Sequence, residues 1–407
     1  MNKNKIVIFG AGNIGCGFIG RIFSKAGFNV CFVDINEKTI AQMNKDKSYI
    51  VEIAGEDYSN KIIVDNVCAI DGRDADKVAN AVMNTDLIAT SVGAGALKAI
   101  SKSLAAGLSL RIKDAKPINI LLCENLIDAD KHLRNFVKEH IDDCLYKDLE
   151  NNVGFIRTSI GPSIRTKIGA NGSISFLSEA YEELPIDKHA IVGEMPRIKN
   201  LVPFAPFDYY IERKLFMHNM AHALTAYLGS LLNDKEIWQT VNRPDARKII
   251  RKALSEPAKA LAKEYGIELA ELEKFADDLI HRFGNKALGD PISRVGRDTV
   301  RKLGENDRLI GPLKLCVKHN INPTFLMVGI AAALHFQTDG DPASYDVAFT
   351  AKTNGIQKTL AQYSNLGPEY ETCLKTIDHF YKMFAQNSGL SKIIKSADDF
   401  SKIHSEA

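Results

Sequence analysis

The first 125 residues alternate between short apolar runs and longer stretches in which apolar residues recur at helical spacing. Strands that alternate with helices predict a mostly parallel sheet covered by helices on both faces. A separate hairpin is predicted for Ser48–Ser59, turning at Gly55. The predicted strands of the parallel sheet are Ile6–Phe9, Val30–Val33, Ile62–Val64, Asp86–Thr90 and Ile118–Leu122, and the first predicted helices are Ile14–Ala26 and Glu37–Lys45.

The pattern changes after residue 150, where Val153–Thr158 and Ser173–Leu177 are predicted strands. Prolines at 196, 203 and 206 mark a domain boundary. We predict an α/β chain with a Rossmann-like, doubly wound, mostly parallel sheet in residues 1–205 and a mainly α-helical substrate and catalytic domain in residues 206–407. The predicted helices are Tyr209–Leu232, Pro244–Glu264, Glu268–Phe283, Asn322–His335, Ser344–Thr353 and Glu369–Gln386, followed by a polar, frayed tail at Ser391–Ala407.

The composition is that of a globular protein, with 45% hydrophobic and 25% charged residues. The 52 basic and 50 acidic residues leave a net charge of +2, which gives no chain-wide attraction for nucleic acid or an anionic membrane. We find no signal-peptide pattern and no apolar run of about 18 residues. Seven scattered cysteines without a CxxC pair favour free thiols in a reducing compartment. We expect a cytoplasmic monomer or small homo-oligomer that binds neither nucleic acid nor membrane.

A GxGxxG sequence directly follows the first predicted strand and begins the first helix. In such a turn Gly10 permits the tight bend, Gly12 lets the backbone approach a pyrophosphate, and Gly15 allows the helix to pack closely on the strand. The helix N-terminus then points its N–H groups and positive dipole end at the phosphates. The predicted cofactor contacts in the turn are Gly10, Ala11, Gly12, Asn13, Ile14 and Gly15.

The second predicted strand leads to Asp34, 24 residues after Gly10. A carboxylate here accepts hydrogen bonds from the ribose of adenosine and repels a 2′-phosphate, so we predict NAD rather than NADP. FAD shares this fingerprint and is an alternative, as is a glycine-rich turn without a ligand. The stretch Ser91–Gly93 follows another predicted strand at the crevice where such sheets bind ligands, which makes Val92 a predicted cofactor contact and a plain turn the alternative.

The densest polar cluster on an otherwise apolar helix lies between Glu212 and His222. At about 100° per residue, Lys214, His218, Asn219 and His222 share one side of that helix. Oxidation of an alcohol needs a base for the hydroxyl proton and donors for the developing alkoxide. A buried lysine with a lowered pKa can be the base, and an amide and an imidazole can be the donors. The alternatives are a solvated surface lysine and a zinc site on the two histidines, for which no third ligand is evident.

The motif Lys-x4-Asn-x2-His at Lys214, Asn219 and His222 resembles the signature of the polyol-specific long-chain dehydrogenase/reductase family, the mannitol dehydrogenase family. The resemblance extends over about residues 5 to 385. Other matching blocks are Phe9–Gly15, Gly17–Gly20, Cys123–Leu126, Glu212–Phe216, Thr225–Gly229, Arg294–Arg297, Arg301–Leu303, Asp307–Leu309 and Gly329–Phe336.

This resemblance implies a zinc-independent oxidoreductase that transfers a hydride reversibly between NAD(H) and a secondary alcohol of a linear polyol or polyol phosphate. It implies that Lys214 is the general base, that Asn125 and Asn219 polarise the reacting oxygen, and that His222 holds the substrate. The strand pattern also puts Asn125 just past Ile118–Leu122, beside the crevice. The alternatives are a hexuronate (fructuronate or tagaturonate) reductase, a dehydrogenase of non-phosphorylated polyols and, from another class, a non-catalytic NAD-binding sensor.

Basic residues are concentrated between residues 294 and 308. Arginine binds phosphate or carboxylate through two parallel hydrogen bonds, so this stretch is a candidate anchor for a sugar phosphate or a sugar acid. A salt-bridged helix face is the alternative, because Asp298, Glu305 and Asp307 lie in the same stretch. The predicted substrate contacts are Arg294, Arg297, Arg301 and Arg308, with Lys302 among them.

One stretch departs from the family pattern. After the strand near Val153, relatives carry an Asp-Arg pair followed by proline, whereas this chain has Ser159–Ile164. The change leaves the predicted base intact but removes an acid and a base that would lie close to the substrate. The sequence therefore leaves open which polyol, polyol phosphate or sugar acid is used.

Overall fold

The computed structural model describes residues 4–55, 60–126, 128–169 and 173–403. The chain divides into two compact units, Met1–Tyr210 and Ile211–Ala407. The division at residues 205 and 206 stays a prediction. Among the described residues, no helix is both long enough and apolar enough to cross a membrane.

The first unit is built around a parallel sheet. Its strands are β1 Lys5–Phe9, β2 Asn29–Asp34, β3 Ser48–Ile53, β4 Asn60–Asp65, β5 Val67–Asp71, β6 Leu87–Thr90, β7 Ile118–Leu122, β8 Val153–Arg157, β9 Ile164–Ile168, β10 Ile174–Ser178, β11 Leu184–Asp187 and β12 Leu201–Phe204. Six of these strands form one all-parallel sheet in the order β5-β2-β1-β6-β7-β8. Numbered within this sheet, that is the 3-2-1-4-5-6 order of a Rossmann fold, which confirms the predicted fold class.

The central strands are buried on both faces. Alternate residues of a strand point to opposite sides of a sheet. Accordingly, Ile6 and Ile8 of β1 join one apolar core, and Val7 and Phe9 join a second core on the other side. The helices of this unit are α1 Arg21–Lys25, α2 Glu37–Asp46, α3 Ala75–Met83, α4 Leu97–Lys113, α5 Ala129–Lys138 and α6 Tyr146–Asn152.

The assignment of Ile62–Val64 to the parallel sheet was wrong. These residues lie in β4, which pairs antiparallel with β3 in a second sheet of order β4-β3-β10-β9. The edge strand of the parallel sheet is β5, which the sequence reading missed. Only Asn66, with a left-handed φ of 55°, separates β4 from β5, so the two strands merge in the apolar pattern. The hairpin is also longer than predicted, and residues 56–59, next to the predicted turn at Gly55, lie outside the described residues.

The second unit is mainly helical. The helices after residue 207 are α7 Asp208–Arg213, α8 Met220–Leu231, α9 Ile237–Val241, α10 Pro244–Tyr265, α11 Leu269–Phe283, α12 Ile292–Gly296, α13 Thr299–Lys302, α14 Ile310–Lys318, α15 Thr324–Ala333, α16 Pro342–Asn354, α17 Ile356–Ser364, α18 Glu371–Ala385 and α19 Leu390–Ile403. Every residue of α15 is buried, and this helix packs against α8, α10 and α18. The predicted tail helix ends at Ile403, and residues 404–407 lie outside the described residues.

Two π-helical segments, Gly15–Gly20 and Lys214–Asn219, interrupt what the sequence predicts as continuous α-helix. The first precedes α1, and the second joins α7 to α8. Short 3₁₀ turns occur at Ala94–Ala96, Asp143–Leu145, Lys188–Ala190, Lys286–Leu288 and Pro368–Tyr370. Since π-helical turns are rare and are frequently found at functional sites, both segments draw attention to the residues they carry.

A buried carboxyl group on α10 caps the N-terminus of α15. Glu256 accepts hydrogen bonds from the N–H of Phe325, at 2.7 Å, and from the N–H of Leu326, at 2.8 Å. These two groups belong to the first turn of α15, where backbone N–H groups have no partner within the helix. Burial raises the pKa of Glu256 to about 8, although the two hydrogen bonds act in the opposite direction.

Candidate active site

The glycine-rich turn follows β1 as predicted. Gly10 has a φ of 97°, and a Cβ there would lie 2.5 Å from the carbonyl oxygen of Ser91. A Cβ on Gly15 would lie 2.0 Å from the carbonyl oxygen of Gly10, so neither position accepts a side chain. A Cβ on Gly12, by contrast, would meet no atom within 4 Å. The turn is thus closed by Gly10 and Gly15 and open at Gly12, which fits close approach of a pyrophosphate.

Asp34 ends β2 next to this turn. Its Oδ2 accepts a hydrogen bond of 2.7 Å from the N–H of Ala11, and its Oδ1 accepts from the N–H groups of Ile35 and Asn36 at 2.8 and 2.9 Å. A carboxylate has about four lone-pair sites, so these three bonds hold Asp34 in place and leave room for a ribose hydroxyl. The structure therefore brings Ala11 and Asp34 together.

Two other residues of the turn are used for packing. Asn13 accepts a hydrogen bond of 2.6 Å from the hydroxyl of Thr166 on β9. Ile14 packs against the apolar core of one face of the parallel sheet. Their side chains anchor the turn within the first unit, which leaves the backbone as the part of these residues that can contact a cofactor.

Glu124, a residue that sequence reasoning missed, holds the loop after β6. Its carboxylate is buried and accepts hydrogen bonds from the N–H of Val92, at 2.9 Å, and from the N–H of Gly93, at 2.8 Å. The loop after β7 is thereby tied to the loop after β6, which carries the predicted cofactor contact Val92. Asn125 follows Glu124 directly and is exposed in the first unit. The only signal for Glu124 in the sequence is its place in the family block Cys123–Leu126.

Thr158 and Ser159, where the stretch that departs from the family begins, are held by hydrogen bonds within the first unit. The hydroxyl of Thr158 donates to the carbonyl of Leu122 at 2.8 Å, and that of Ser159 donates to the carbonyl of Tyr210 at 3.3 Å. Both hydroxyls are buried and donate to backbone carbonyls. These residues serve the packing of the unit, and they present no charge to a substrate.

The π-helical segment Lys214–Asn219 carries the predicted base at its first position. The N–H of Met220 donates to the carbonyl of Leu215, five residues earlier, as in a π-helix. The value of 100° per residue does not apply within this segment, because a π-helix turns less at each residue. That Lys214, His218, Asn219 and His222 share one side stays a prediction. A spacing of five residues returns nearly to the same side of such a segment. Lys214 and Asn219 consequently lie on nearly the same side.

The surroundings of Lys214 favour its neutral form. Burial, followed by the positive charge of Arg308, lowers the pKa of Lys214 to about 8. The pKa of His218 is well below its ordinary value, because this side chain is buried and lies near the charges of Arg282 and Lys214. The alternative of a solvated surface lysine does not describe Lys214, because this residue is half-buried in the structure.

His222 is held from two sides. Its Nε2 lies 2.9 Å from Oδ2 of Asp290, and its ring stacks on Phe283 with centroids 4.9 Å apart and planes at 18°. Burial alone would raise the pKa of Asp290, but the hydrogen bond from His222 and the charge of Arg294 bring it below its ordinary value. Asp290 therefore stays ionised and orients the imidazole.

The basic stretch is only partly available to a ligand. Arg294 pairs with Asp290, Arg301 pairs with Asp298, and Arg308 pairs with Asp307 at 2.7 Å. Lys302 is buried and donates to the carbonyls of Val295 and Arg297. Within the described part of the chain, Arg297 is exposed and makes no ion pair. Three of the four arginines predicted to contact substrate are thus paired in salt bridges, as in the alternative interpretation of this stretch. Of these four, Arg297 is the one available for an anion.

The structure leaves the zinc alternative without support. In residues 4–55, 60–126, 128–169 and 173–403 there is no group of three or more His, Cys, Asp or Glu side chains placed to hold a metal ion. His218 and His222 contact each other through their rings, with centroids 6.2 Å apart. His222 is bonded to Asp290 and stacked on Phe283, as described above.

The chain belongs to the mannitol dehydrogenase family. Residues 4–200 match the model of the mannitol dehydrogenase Rossmann domain, and residues 207–399 match that of the mannitol dehydrogenase C-terminal domain. This result confirms the family resemblance of the sequence motifs. The protein is an oxidoreductase, and its cofactor is NAD.

Among its relatives, the chain is similar to two proteins named mannitol-1-phosphate 5-dehydrogenase. It is 37% identical over 364 residues to that of Thermoanaerobacter pseudethanolicus, covering 89% of this chain and 93% of that protein. It is 35% identical over 355 residues to that of Brevibacillus brevis, covering 87% of this chain and 92% of that protein.

Two solved structures share the fold. A substrate-free D-sorbitol dehydrogenase has a TM-score of 0.79 and 14% identity, covering 95% of this chain and 94% of that chain. The Pseudomonas fluorescens mannitol 2-dehydrogenase, solved as a ternary complex with NAD and D-mannitol, has a TM-score of 0.71 and 13% identity, covering 97% of this chain and 94% of that chain.

Proposed function

We propose that this protein catalyses the reversible, NAD-dependent oxidation of a secondary alcohol in a linear polyol phosphate, of the type that converts mannitol 1-phosphate to fructose 6-phosphate. The observation that carries the proposal is the position of Lys214, which is half-buried at the start of a π-helical segment, with Asn219 on nearly the same side. Burial and the charge of Arg308 lower the pKa of this lysine to about 8. Similarity to two mannitol-1-phosphate 5-dehydrogenases over about nine-tenths of the chain supports this choice of substrate.

The first unit supplies the cofactor site. The pyrophosphate would be held by the backbone of the glycine-rich turn, which comprises Gly10, Ala11, Gly12, Asn13, Ile14 and Gly15. Asp34 would bind the adenosine ribose. Val92 would contact the cofactor from the loop after β6. The open space at Gly12 and the fixed carboxylate of Asp34 fit NAD, and the negative charge of Asp34 disfavours a 2′-phosphate. Bound NAD supplies the acceptor for the hydride during oxidation.

The proposed general base lies in the second unit. In the proposed mechanism the neutral amine of Lys214 accepts the hydroxyl proton of the substrate and returns it when the reaction runs as a reduction. The amides of Asn125 and Asn219 donate to the reacting oxygen as its negative charge grows. His222 is oriented by Asp290 and holds a neighbouring hydroxyl. These four roles follow from the family resemblance and suit the chemistry of the side chains.

The pH dependence should reflect the titration of Lys214. Oxidation needs the neutral amine, so kcat/KM for the polyol should rise with pH through an apparent pKa of about 8. Reduction needs the protonated amine, so kcat/KM for the ketose should fall over the same interval. Steady-state rates in both directions between pH 6 and 10 check this expectation. A flat profile in both directions would contradict the role of Lys214.

The substrate is tested with a panel followed at the absorbance of NADH. Purified full-length protein is offered polyol phosphates, free polyols and hexuronates, each with NAD(H) and NADP(H) in the appropriate direction. We expect turnover of a polyol phosphate with NAD. Good turnover of a hexuronate, with none of any phosphorylated substrate, would overturn the proposal in favour of a hexuronate reductase. Binding of NADH without turnover of any compound would favour a sensor.

Arg297 is the proposed contact for the phosphate. Arg297→Ala should raise KM for a polyol phosphate by about 10- to 100-fold, since hydrogen bonds to a charged group contribute about 1.5–3 kcal/mol. KM for a free polyol should stay unchanged. Arg247→Ala, which removes an exposed arginine of α10, is the matched control. An equal effect of Arg297→Ala on both substrates would rule out a phosphate contact.

We also propose that the protein acts in the cytoplasm as a monomer or small homo-oligomer. All seven cysteines are unpaired in the structure, which suits a reducing compartment. Its partner in the reaction is a small molecule, and the near-neutral net charge of +2 gives no general attraction for nucleic acid or a membrane surface.

A further inference from the structure

Two cysteines lie side by side at the edge of the parallel sheet. Cys31 of β2 and Cys68 of β5 are register partners on hydrogen-bonded parallel strands, so their side chains project from the same face. Both thiols are partly exposed, whereas Cys16, Cys123, Cys316 and Cys373 are buried. The two thiols line a pocket of about 260 Å³ together with the polar residues Lys5, Asn29, Asn80, Asn84 and Thr85. Small solutes from solvent therefore have a route to the pair.

We propose that Cys31 and Cys68 are a redox site that forms a reversible disulfide, and that this disulfide weakens the binding of NAD. Adjacent strands of a sheet are about 4.8 Å apart, within the Cα separation of about 4.4–6.8 Å that a disulfide requires. The preferred Cβ separation is shorter, about 3.8 Å, so the bond would draw β5 towards β2. Disulfides strained in this way are easily reduced, as a reversible site requires.

The chemistry begins at Cys68. The hydrogen bond from Cys31 lowers the pKa of Cys68 to about 7, with Lys47 and Lys5 acting in the same direction and burial opposing them. The oxidant is a hydroperoxide. The thiolate of Cys68 attacks the peroxide, whose O–O bond breaks, and Cys68 becomes a sulfenic acid while hydroxide, or an alkoxide from an organic peroxide, departs. The thiol of Cys31 then attacks this sulfur, and the S–S bond forms as water is released.

The cofactor site lies further along the same two strands. Three residues beyond the thiols, β2 and β5 end at the register pair Asp34 and Asp71. The N–H of Gly72 donates to the carbonyl of Asp34 at 2.8 Å, so the end of β5 is bonded to the residue that would hold the ribose. Because β5 is an edge strand with one neighbour in this sheet, it is the strand that moves when the thiols join. The effect on NAD rests on the proposed role of Asp34, whereas formation of the disulfide does not.

The test uses full-length protein carrying Cys144→Ser, which removes the exposed thiol. After treatment with hydrogen peroxide, peptide mass spectrometry should locate a loss of two hydrogens in a linked pair of peptides containing Cys31 and Cys68. Fluorescence titration should show that the Kd for NADH rises about fivefold or more, and dithiothreitol should restore it. By reciprocity, saturating NADH should shift the equilibrium of the pair towards the two reduced thiols by the same factor, measured in a defined thiol–disulfide buffer. In Cys31→Ser, dimedone should trap a sulfenic acid on Cys68, and the Kd for NADH should stay unchanged.

Two results would overturn the proposal. One is a Cys31–Cys68 pair that stays reduced at peroxide concentrations that oxidise Cys144 in the wild-type protein. The other is a disulfide that leaves the Kd for NADH unchanged. In that case Asp34→Ala shows which part failed: weaker NADH binding in Asp34→Ala means that the disulfide does not reach the site, and unchanged binding means that the role proposed for Asp34 is wrong.

Discussion

Lys214→Met is expected to lower kcat for oxidation of the polyol by about 10²- to 10⁴-fold, the usual contribution of a positioned general base. Methionine keeps the apolar stem of the side chain and removes the amine. The Kd for NADH should stay unchanged, because the proposed cofactor contacts lie in the first unit. Lys214→Arg should be equally inactive, since a guanidinium stays protonated at any pH used.

The matched control is Lys274→Met, which replaces an exposed lysine on α11 of the same unit. Its kcat should equal that of the unsubstituted protein. Stopped-flow measurement of a single turnover separates the chemical step from product release and shows which step has slowed. A Lys214→Met variant that retains more than about a tenth of kcat would show that another group takes the proton.

Glu256→Ala is expected to lower the free energy of unfolding of the second unit by about 3 kcal/mol or more. Two buried N–H groups in the first turn of α15 would lose their acceptor, and each unsatisfied group costs about 1–3 kcal/mol. Trp238, the only tryptophan in the chain, lies on α9 of this unit, so its fluorescence follows the unfolding. Glu271→Ala, at an exposed position of α11, should change the stability by no more than about 0.5 kcal/mol.

The same carboxyl should make stability depend on pH. Its pKa is raised by burial to about 8 in the folded protein, so the protonated form is the one that folding favours. Its contribution is complete below the unfolded pKa of about 4.3 and is lost as the pH rises towards 8. The amide of Glu256→Gln cannot titrate, so this variant should lack that part of the dependence of unfolding free energy on pH. At pH 5 the variant should also be less stable, because one hydrogen-bond acceptor is lost. Equal slopes for both proteins between pH 5 and 8 would contradict the raised pKa.

The parts of the fold that depend on local pattern were predictable from the sequence. β1, β2 and the turn at Gly10 combine a buried strand, fixed glycine spacing and a terminal acid within 30 residues. β5 was missed because only one residue, Asn66, separates it from β4. The two strands belong to different sheets, and the spacing of apolar residues does not show to which sheet a strand belongs. The π-helical segments were missed because six residues are too few to establish the repeat of a helix from its apolar positions.

The residues of the candidate site could be named from the sequence, but their partners could not. Glu256 caps a helix that begins 68 residues later, and Glu124 holds a loop about 30 residues earlier. Which arginine remains available depends on how Asp290, Asp298 and Asp307 are distributed among the basic side chains. That distribution is set by three-dimensional packing. The order of charges along the chain is compatible both with arginines that bind an anion and with arginines that are paired in salt bridges.

The bonds from Glu124 to Val92 and Gly93 have a mechanical consequence. On the proposed roles, the loop that touches the cofactor and the loop that carries Asn125 are clamped by one carboxylate between neighbouring strands. When one loop is displaced by thermal motion, the bonds from Glu124 carry the other loop with it. The distance between the cofactor and the reacting oxygen would therefore vary less than the position of either loop.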